Sequence, residues 1–338
     1  MITRIYSTLR SARQREVLRR LGLACALGLV ATAVSANQFY VVDEHAPDVI
    51  GGLELTTTTY EDTISDLARA YSQGFNEMRL ANTAVDPWLP GEGTEVVIPS
   101  QYVLPVAPRR GIVINVPEMR MYYFPARDRA GQQAVHTYPI SIGRQEWTTP
   151  KGLTKIVAKV KDPAWYPPKS IREEHAANGD PLPMVVPAGP DNPLGQHALR
   201  LSISGYLIHG TNKPYGIGMR VTHGCIRMYP KDVERIFGLV NVGTSVHIVN
   251  QPFKVGLADG RIYLEIHPHL EEDNNAFVDE YSHIVKLVLE RAKGYDAQLS
   301  WGAIKRAIAD KDGVPRAVGV YRPKATTVQN GARPAQAG

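Results

Sequence analysis

The chain has 338 residues, which is long enough for two domains. Hydrophobic residues make up 43% and charged residues 21%, a balance that permits globular cores and excludes disorder throughout the chain. The formal charge of +5 comes from the N-terminus, because residues 1–36 hold six arginines and one glutamate. The remaining body carries equal numbers of basic and acidic side chains, so it lacks the cationic surface that nucleic-acid binding requires.

The N-terminus has the order of a secretory signal peptide. An arginine-rich segment precedes an apolar run over 21–34, and small residues end at Ala36. This order predicts a signal peptide over residues 1–36 with cleavage after Ala36. The apolar run is shorter than the ~20 residues of a membrane-spanning helix, and an uncleaved membrane anchor is the alternative.

The chain has two cysteines, and Cys25 lies within the apolar run. Removal of the signal peptide leaves Cys225 as the single thiol, which then has no partner for an intramolecular disulfide. Cys225 is therefore either a small buried side chain or a nucleophile. A thiol-based redox protein is disfavoured, because such proteins usually need a second, resolving thiol.

Residues 37–101 are predicted to form a small α+β module. The segment Thr58–Glu61 has the spacing of a helix capping box, and the apolar residues that follow recur on one face of a helix. A second helix is predicted over 75–82, between strands at 53–55 and 95–99. This strand-helix-helix-strand order resembles a LysM module, a small carbohydrate-binding fold. A packing module that binds no glycan is the alternative.

Residues 102–250 are predicted to form a mainly β domain, a sandwich or barrel, because short strands are separated by glycine and proline turns. The predicted strands are Gly111–Val116, Met119–Phe124, Val135–Ile142, Leu153–Val160, Leu199–Ile203, Tyr206–Ile208 and Ser245–Val249. The proline-rich segment 162–198 interrupts them. A loop of this length usually covers a binding site, so we predict a lid with Trp165 as a wall residue.

Residues 251–321 are predicted to form a hairpin and two helices. The hairpin turns at Asp259-Gly260, a strong two-residue turn signal. Asn274 and Ser300 are predicted to cap the two helices. Residues 322–338 carry few large apolar side chains and are predicted to be a disordered tail.

The candidate catalytic residues are concentrated between His209 and Arg227, where two histidines lie close in sequence to the single mature thiol. A thiol of ordinary pKa is mostly protonated at neutral pH, and a neighbouring imidazole can accept its proton. His223, two residues before Cys225, and His209, at the end of a predicted strand, are both candidates. A zinc site built from these three residues is a further alternative, although their spacing is unusual for structural zinc.

The residues around the thiol suggest how a substrate is held. The backbone N–H groups of Gly224 and Cys225 are candidate donors to a developing oxyanion, since a glycine lets the backbone approach the substrate closely. Arg227 is a candidate partner for a substrate carboxylate. Thr222 and Asn212 flank these groups and are predicted, like Trp165, to contact substrate.

This stretch resembles the signature of L,D-transpeptidases with a YkuD-type catalytic domain. Here it consists of His209, a twelve-residue spacer and the segment Thr222–Arg227. The segments 149–152 and 187–193 are similar to the ErfK/YbiS branch of Gram-negative periplasms, in which a LysM-like module precedes the catalytic domain. The resemblance covers roughly residues 38–265. It implies a YkuD-like β-sandwich or barrel with a small α+β module before it and helices after it.

The resemblance also implies an enzyme of peptidoglycan. Cys225 is expected to attack the diaminopimelate–D-Ala bond of a stem tetrapeptide and to release D-Ala. The thioester is expected to pass to an amine, either of another stem, giving a 3→3 cross-link, or of a lysine on an outer-membrane lipoprotein. His209 matches the proton acceptor and donor, and His223 and Gly224 match the oxyanion-hole segment. The resemblance implies a periplasmic protein and neither a metal nor an organic cofactor.

Two other functions use the same residues. An L,D-carboxypeptidase or endopeptidase would differ only in passing the thioester to water. A non-catalytic peptidoglycan-binding protein would retain the fold with an inactive site, and the intact His209, Gly224 and Cys225 argue against it.

Overall fold

A computed structural model describes residues 39–42 and 48–324. The predicted signal peptide, with Cys25, and most of the predicted tail lie outside these residues. No helix in the described ranges is long and apolar enough to cross a membrane.

The N-terminal module contains the predicted strand-helix-helix-strand order, with one further, unpredicted strand on each side. Its elements, after strand β1 (Phe39–Val42), are β2 (Val49–Gly51), β3 (Glu54–Thr57), α1 (Ile64–Ala70), α2 (Phe75–Ala81), β4 (Glu95–Ile98) and β5 (Gln101–Val103). Strands before the helices pair with strands after them in two antiparallel pairs, β2 with β5 and β3 with β4. The module has its own apolar core, to which Ile64, Met78 and Ile98 contribute.

The predicted capping box at Thr58–Glu61 is wrong. Helix α1 begins at Ile64, and Thr63 forms the box with Asp66: the backbone N–H of Asp66 donates to Thr63 Oγ1 at 3.1 Å. The chain repeats the same threonine-to-acid spacing, and only the copy at Thr63 directly precedes the apolar helix face. That apolar face therefore decides which copy is used.

The central domain is mainly β, as predicted. Its elements are β6 (Gly111–Asn115), β7 (Arg120–Phe124), β8 (Gln133–Gly143), β9 (Gly152–Lys161), α3 (Lys169–Ala177), β10 (His197–Leu201), β11 (Leu207–His209), β12 (Arg220–Thr222), β13 (Ile226–Met228), α4 (Pro230–Leu239) and β14 (Ser245–Val249). The sheet runs β1-β8-β13-β11-β10-β9-β14-β6-β7, and β7 also pairs with β8. This last pairing closes the sheet into a barrel-like form around one large apolar core.

The segment 162–198 contains more regular structure than the predicted loop. Helix α3 lies within it, and an isolated antiparallel bridge joins Trp165 to Val186. Asn192, which is buried, donates from its side-chain amide to the carbonyls of Pro163, Val186 and Pro187. The proline-rich ends of the segment are therefore held together by one asparagine.

The C-terminal part is a second sheet covered by two helices. Its elements are β15 (Phe253–Ala258), β16 (Arg261–Ile266), a 3-10 turn (Glu271–Phe277), α5 (Glu280–Ala292), β17 (Tyr295–Leu299), α6 (Trp301–Asp310) and β18 (Arg316–Pro323). The four strands are ordered β15-β16-β18-β17. The hairpin at Asp259-Gly260 and the Ser300 cap are confirmed.

Three predictions for the C-terminal part are wrong. Asp279, not Asn274, caps α5, because residues 271–277 form a 3-10 turn instead. Strands β17 and β18 were missed by the prediction of a hairpin and helices alone. The predicted tail begins too early, since Arg322 and Pro323 pair with Asp296 and Tyr295 in the sheet. Backbone pairing at the end of a sheet does not require large apolar side chains.

Candidate active site

Two neighbouring parallel strands place His209 and Arg227 opposite each other, and Cys225 lies directly before the second strand. In the register of β11 and β13, Ile208 lies opposite Ile226 and His209 lies opposite Arg227. Both isoleucines are fully buried in the core. Because side chains alternate along a strand, His209 and Arg227 point to the other face. Cys225 directly precedes β13, and the charge of Arg227 affects its pKa, so the two side chains are close.

The thiol of Cys225 is held by the turn between β10 and β11. Cys225 Sγ donates to the carbonyl of Gly205 at 3.7 Å, and the backbone N–H of Leu207 hydrogen-bonds to the sulfur. Burial raises the pKa of this thiol, and the Leu207 bond and the nearby Arg227 only partly oppose it. The resting side chain at neutral pH is therefore a thiol rather than a thiolate.

His209 is buried, and its Nδ1 lies 2.7 Å from the carbonyl of Gly210. Because a carbonyl only accepts hydrogen bonds, Nδ1 carries the proton and Nε2 keeps a free lone pair. Burial, then the charge of Arg227, lowers the pKa of His209 to about 4, against the opposing effect of the Gly210 bond. The imidazole is therefore neutral at neutral pH and able to accept a proton.

Arg227 lies beside both groups, since its charge affects the pKa of His209 and of Cys225. Its Nε atom is buried and has no hydrogen-bond partner in the part of the chain that the structure describes. A buried guanidinium N–H without a partner is costly. The arrangement is suited to an anionic group brought by a ligand.

The backbone around Cys225 is fixed by Gly224 and Thr222. Gly224 has φ +94°, and a Cβ there would lie 2.8 Å from Cε1 of Tyr206, so a glycine is required. Gly224 N–H donates to Thr222 Oγ1 at 3.2 Å, and that hydroxyl donates to the carbonyl of Cys225 at 2.6 Å. Thr222 is buried, and its hydroxyl is used to shape this loop.

His223 lies in a different cluster from His209. Its Nε2 is 3.0 Å from Arg144 Nη2 and 3.2 Å from Glu174 Oε2, and its ring packs edge-on against Trp147 at 5.1 Å. Burial, followed by the charge of Arg144, lowers the pKa of His223 despite the opposing effect of Glu174. The neutral ring accepts from Arg144, whereas a protonated ring would donate to Glu174.

Sequence reasoning missed Arg144, Trp147 and Glu174. These residues come from the turn after β8 and from α3, far along the chain from His223. The resemblance at 149–152 was the one signal near them, and Thr149 does contact the loop, donating to the carbonyl of Gly224 at 3.0 Å.

The two remaining predicted contact residues lie in or against the 162–198 segment. The side-chain amide of Asn212, which is exposed, donates to the carbonyl of Asp191 at 3.1 Å. Trp165 is half-buried and its backbone exchanges hydrogen bonds with Val186 at 2.9 and 2.8 Å. A second tryptophan, Trp147, contacts His223 with its ring.

A possible metal-binding cluster lies elsewhere. In the ranges that the structure describes, Glu118, Glu265 and His267 bring ligand atoms within 4.8 Å of one another, and all three are buried. The ammonium of Lys254 already contacts Glu118 at 2.8 Å and Glu265 at 2.7 Å. The chain thus supplies the cation at this cluster through Lys254.

The zinc alternative at His209, His223 and Cys225 gains no support from His223, because the Nε2 atom of His223 contacts Arg144 and Glu174.

Comparison with known proteins identifies relatives over most of the chain. The YkuD family model, described as an L,D-transpeptidase catalytic domain, matches residues 109–248. The probable L,D-transpeptidase YcfS of Escherichia coli K12 is 40% identical over 264 residues, covering 77% of this chain and 75% of that protein. The probable L,D-transpeptidase YbiS of the same organism is 42% identical over 270 residues, covering 79% and 85%.

Among solved structures, the catalytic domain of an E. faecium L,D-transpeptidase aligns with a TM-score of 0.32 and 20% identity, over 43% of this chain and 100% of that one.

Proposed function

The chain belongs to the L,D-transpeptidases with a YkuD catalytic domain, enzymes of peptidoglycan, and on this premise we propose that Cys225 carries the acyl group of a stem peptide. The observation that carries the assignment is that Arg227 lies opposite His209 in the sheet and is close enough to both His209 and Cys225 for its charge to shift the pKa of each. A thiol and a neighbouring base are the groups that nucleophilic acyl transfer through sulfur requires, and the unpartnered Nε of Arg227 adds a donor for an anionic group of the substrate.

Acylation starts from a neutral thiol and a neutral imidazole. The Cys225 sulfur attacks the carbonyl carbon of the diamino acid, while His209 Nε2 takes the thiol proton. The tetrahedral intermediate collapses as His209 returns that proton to the amine of D-Ala, which leaves. The product is a thioester, and no ATP is consumed, because the thioester retains energy from the broken peptide bond.

The second half of the reaction reverses the roles. An acceptor amine attacks the thioester carbonyl, His209 takes a proton from the amine, and the Cys225 sulfur leaves and is reprotonated. A 3→3 cross-link results when the amine belongs to another stem peptide. A lipoprotein lysine is the second proposed acceptor.

The oxyanion of each intermediate is assigned to the backbone around Cys225. The Cys225 N–H is the first proposed donor. Gly224 N–H, which donates to Thr222 in the resting structure, becomes the second donor if the Thr222 hydroxyl releases it. Arg227, through its unpartnered Nε, is proposed to bind a substrate carboxylate.

The 162–198 segment is proposed as a lid that keeps water from the thioester. Its helix α3 carries Glu174, which contacts His223 next to the nucleophile. Trp165 and Asn212 belong to or contact this segment and are retained as proposed substrate contacts, and Thr222 as a residue that shapes the site.

The remaining parts of the proposal concern location and targeting. The N-terminal signal pattern supports a periplasmic enzyme. The strand-helix-helix-strand order of the N-terminal module supports a LysM-like glycan contact.

Mass spectrometry of products tests the function. The mature protein is incubated with a donor tetrapeptide, alone and with an amine acceptor, beside a Cys225→Ala control. We expect loss of D-Ala, an adduct on the Cys225 peptide, and an amine-dependent cross-linked product. Release of D-Ala with no amine product would favour the carboxypeptidase alternative. Unchanged turnover in Cys225→Ala would contradict the nucleophile assignment.

A further inference from the structure

The N-terminus of helix α2 is completed by the spacer between His209 and Thr222. The first N–H groups of a helix have no partner within it. Here the N-cap residue is Gly74, which has no side chain to supply one. The backbone N–H of Phe75 donates to the carbonyl of Ile217 at 2.9 Å, and that of Asn76 donates to Gly218 at 3.3 Å. The spacer therefore acts as the cap of a helix in another module.

The two backbones meet at a pair of glycines. Gly218 has φ +85°, and a Cβ there would lie 2.4 Å from Gly74 Cα and 2.4 Å from Phe75 N. A Cβ on Gly74 would lie 2.9 Å from Gly218 Cα. No side chain fits at this contact without moving one backbone, so the spacer and the helix end fix each other's position.

The other side of the spacer rests on the barrel. Ser141 donates to the carbonyl of Gly216 at 2.6 Å, and the backbone N–H of Ile142 donates to Met219 at 3.3 Å. Ile217 is fully buried between them. Strand β12 then leads directly from Met219 to Thr222, whose hydroxyl shapes the backbone at Cys225.

The helix end is itself anchored to the barrel by a buried ion pair. Glu77 accepts from the backbone N–H of Gly74 at 2.7 Å, and both of its oxygens accept from Arg120 on β7 at 2.7 Å. The guanidinium of Arg120 also lies over the ring of Tyr102, 4.1 Å from its centroid. A buried ion pair and a cation–π contact therefore hold the module directly against the barrel.

We propose that the turn Gly74–Glu77 of the N-terminal module is a positioning element for the nucleophile loop, the segment between β12 and β13 that carries Cys225. It holds residues 214–222 against the barrel and so sets the orientation of the Cys225 thiol. The module thereby contributes to the chemical step whether or not it also contacts glycan. This inference rests on the proposed function of Cys225.

Two matched pairs of variants test the proposal in the full chain. Gly218→Ala places a methyl group into the glycine contact. Its control, Gly256→Ala, places one against Asp48 and Val103 at 2.9 Å, on a different side of the module. Phe75→Pro removes the N–H that donates to Ile217, and Phe75→Ala loses the same ring but keeps that N–H. Proline is tolerated at the first helical position, so the helix itself is preserved.

The readouts are kcat and KM with a soluble tetrapeptide, the rate of iodoacetamide alkylation mapped to the Cys225 peptide, and the unfolding temperature. We expect Gly218→Ala and Phe75→Pro to lower kcat and the alkylation rate about tenfold or more relative to their controls, since small misplacements of a reacting group have effects of this size. KM should change little.

Two results would overturn the inference. One is a kcat and an alkylation rate in both test variants within about twofold of the controls. The other is a loss of rate in all four variants that simply follows their unfolding temperatures. If the unaltered protein forms no acyl adduct, the proposed function fails. The alkylation rates of Cys225 in the four variants still test the positioning role in that case, because they do not depend on acyl transfer.

Discussion

His223 Nε2 and Glu174 Oε2 lie 3.2 Å apart, although 49 residues separate them in the chain. Glu174 also forms an ion pair with Arg144. The contact joins helix α3 of the 162–198 segment to the residue two positions before Cys225. The proposed lid is therefore attached to the segment that carries Cys225 through side-chain polar contacts.

Loss of this attachment should favour hydrolysis over transfer. Glu174→Gln weakens the contacts to His223 and Arg144, and we expect the hydrolysed fraction of product to rise about threefold as water enters. Glu173→Gln is the matched control, because Glu173 is exposed on the same helix and pairs only with Lys169 among the described ion pairs. The ratio of released acid to amine product measures the effect, and an equal ratio in both variants would argue against the lid.

The pH dependence of Cys225 reactivity should show that Cys225 and His209 are both uncharged in the resting protein. Burial raises the pKa of the Cys225 thiol, and His209 is neutral above about pH 4. We expect the rate of iodoacetamide alkylation at Cys225 to keep rising through about pH 9, because the thiolate is the reacting form. A plateau between about pH 5 and pH 8 would instead indicate a preformed thiolate–imidazolium pair.

His209 should make the fold less stable in acid. Its pKa is about 4 in the folded state and 6.5 in its ordinary state. Between these values the unfolded chain binds a proton that the folded chain does not, so stability falls as the pH decreases from 6.5 to 4. The full cost is about 3 kcal/mol. His209→Gln should remove this part of the acid sensitivity, as measured by urea unfolding of both proteins at several pH values.

Arg227 should contribute to binding of the donor tetrapeptide and should lower the pKa of His209 beside it. Arg227→Gln removes the cation that lowers the pKa of His209, so the pKa of His209 should rise. We expect kcat/KM for the tetrapeptide to fall about tenfold or more through loss of a charge-assisted hydrogen bond. Arg129→Gln, at an exposed turn, serves as the control. An unchanged kcat/KM in Arg227→Gln would refute the carboxylate contact.

The hydroxyl of Thr222 should be needed to hold the backbone of Gly224 and Cys225 in place. Thr222→Val leaves the Gly224 N–H without its present acceptor, which should cost about 1–3 kcal/mol of stability. It also removes the hydroxyl's bond to the carbonyl of Cys225, which should displace the thiol and slow acylation. Thr222→Ser retains the hydroxyl and should retain most of the activity. Steady-state kinetics and thermal unfolding of the two variants separate the hydroxyl from the methyl group. Equal activity in both would mean that the hydroxyl is not required.

Local patterns in the sequence predicted much of the fold. Seven of the nine strands of the central domain were located to within a few residues, because short apolar runs between glycine and proline turns determine which segments are extended. Strands β12 and β13, on either side of Cys225, were not predicted, since each has only three residues and lacks such an apolar run. The hairpin at Asp259-Gly260 and the Ser300 cap were found for the same reason, since both depend on neighbouring residues alone. The helix start at Ile64 was misplaced because repeated capping spacings compete, and packing selects one of them.

The sequence by itself determined the chemical class of the site, because Thr222, His223, Gly224 and Cys225 are contiguous and a motif of neighbours needs no knowledge of the fold. Only the tertiary structure decided how the two histidines differ, since strand register puts His209 opposite Arg227 whereas packing of α3 puts His223 against Glu174. The contact of Gly74 with Gly218 was likewise invisible in the sequence. Register and packing join segments that are far apart in the chain, and no local pattern encodes which distant segment will be met.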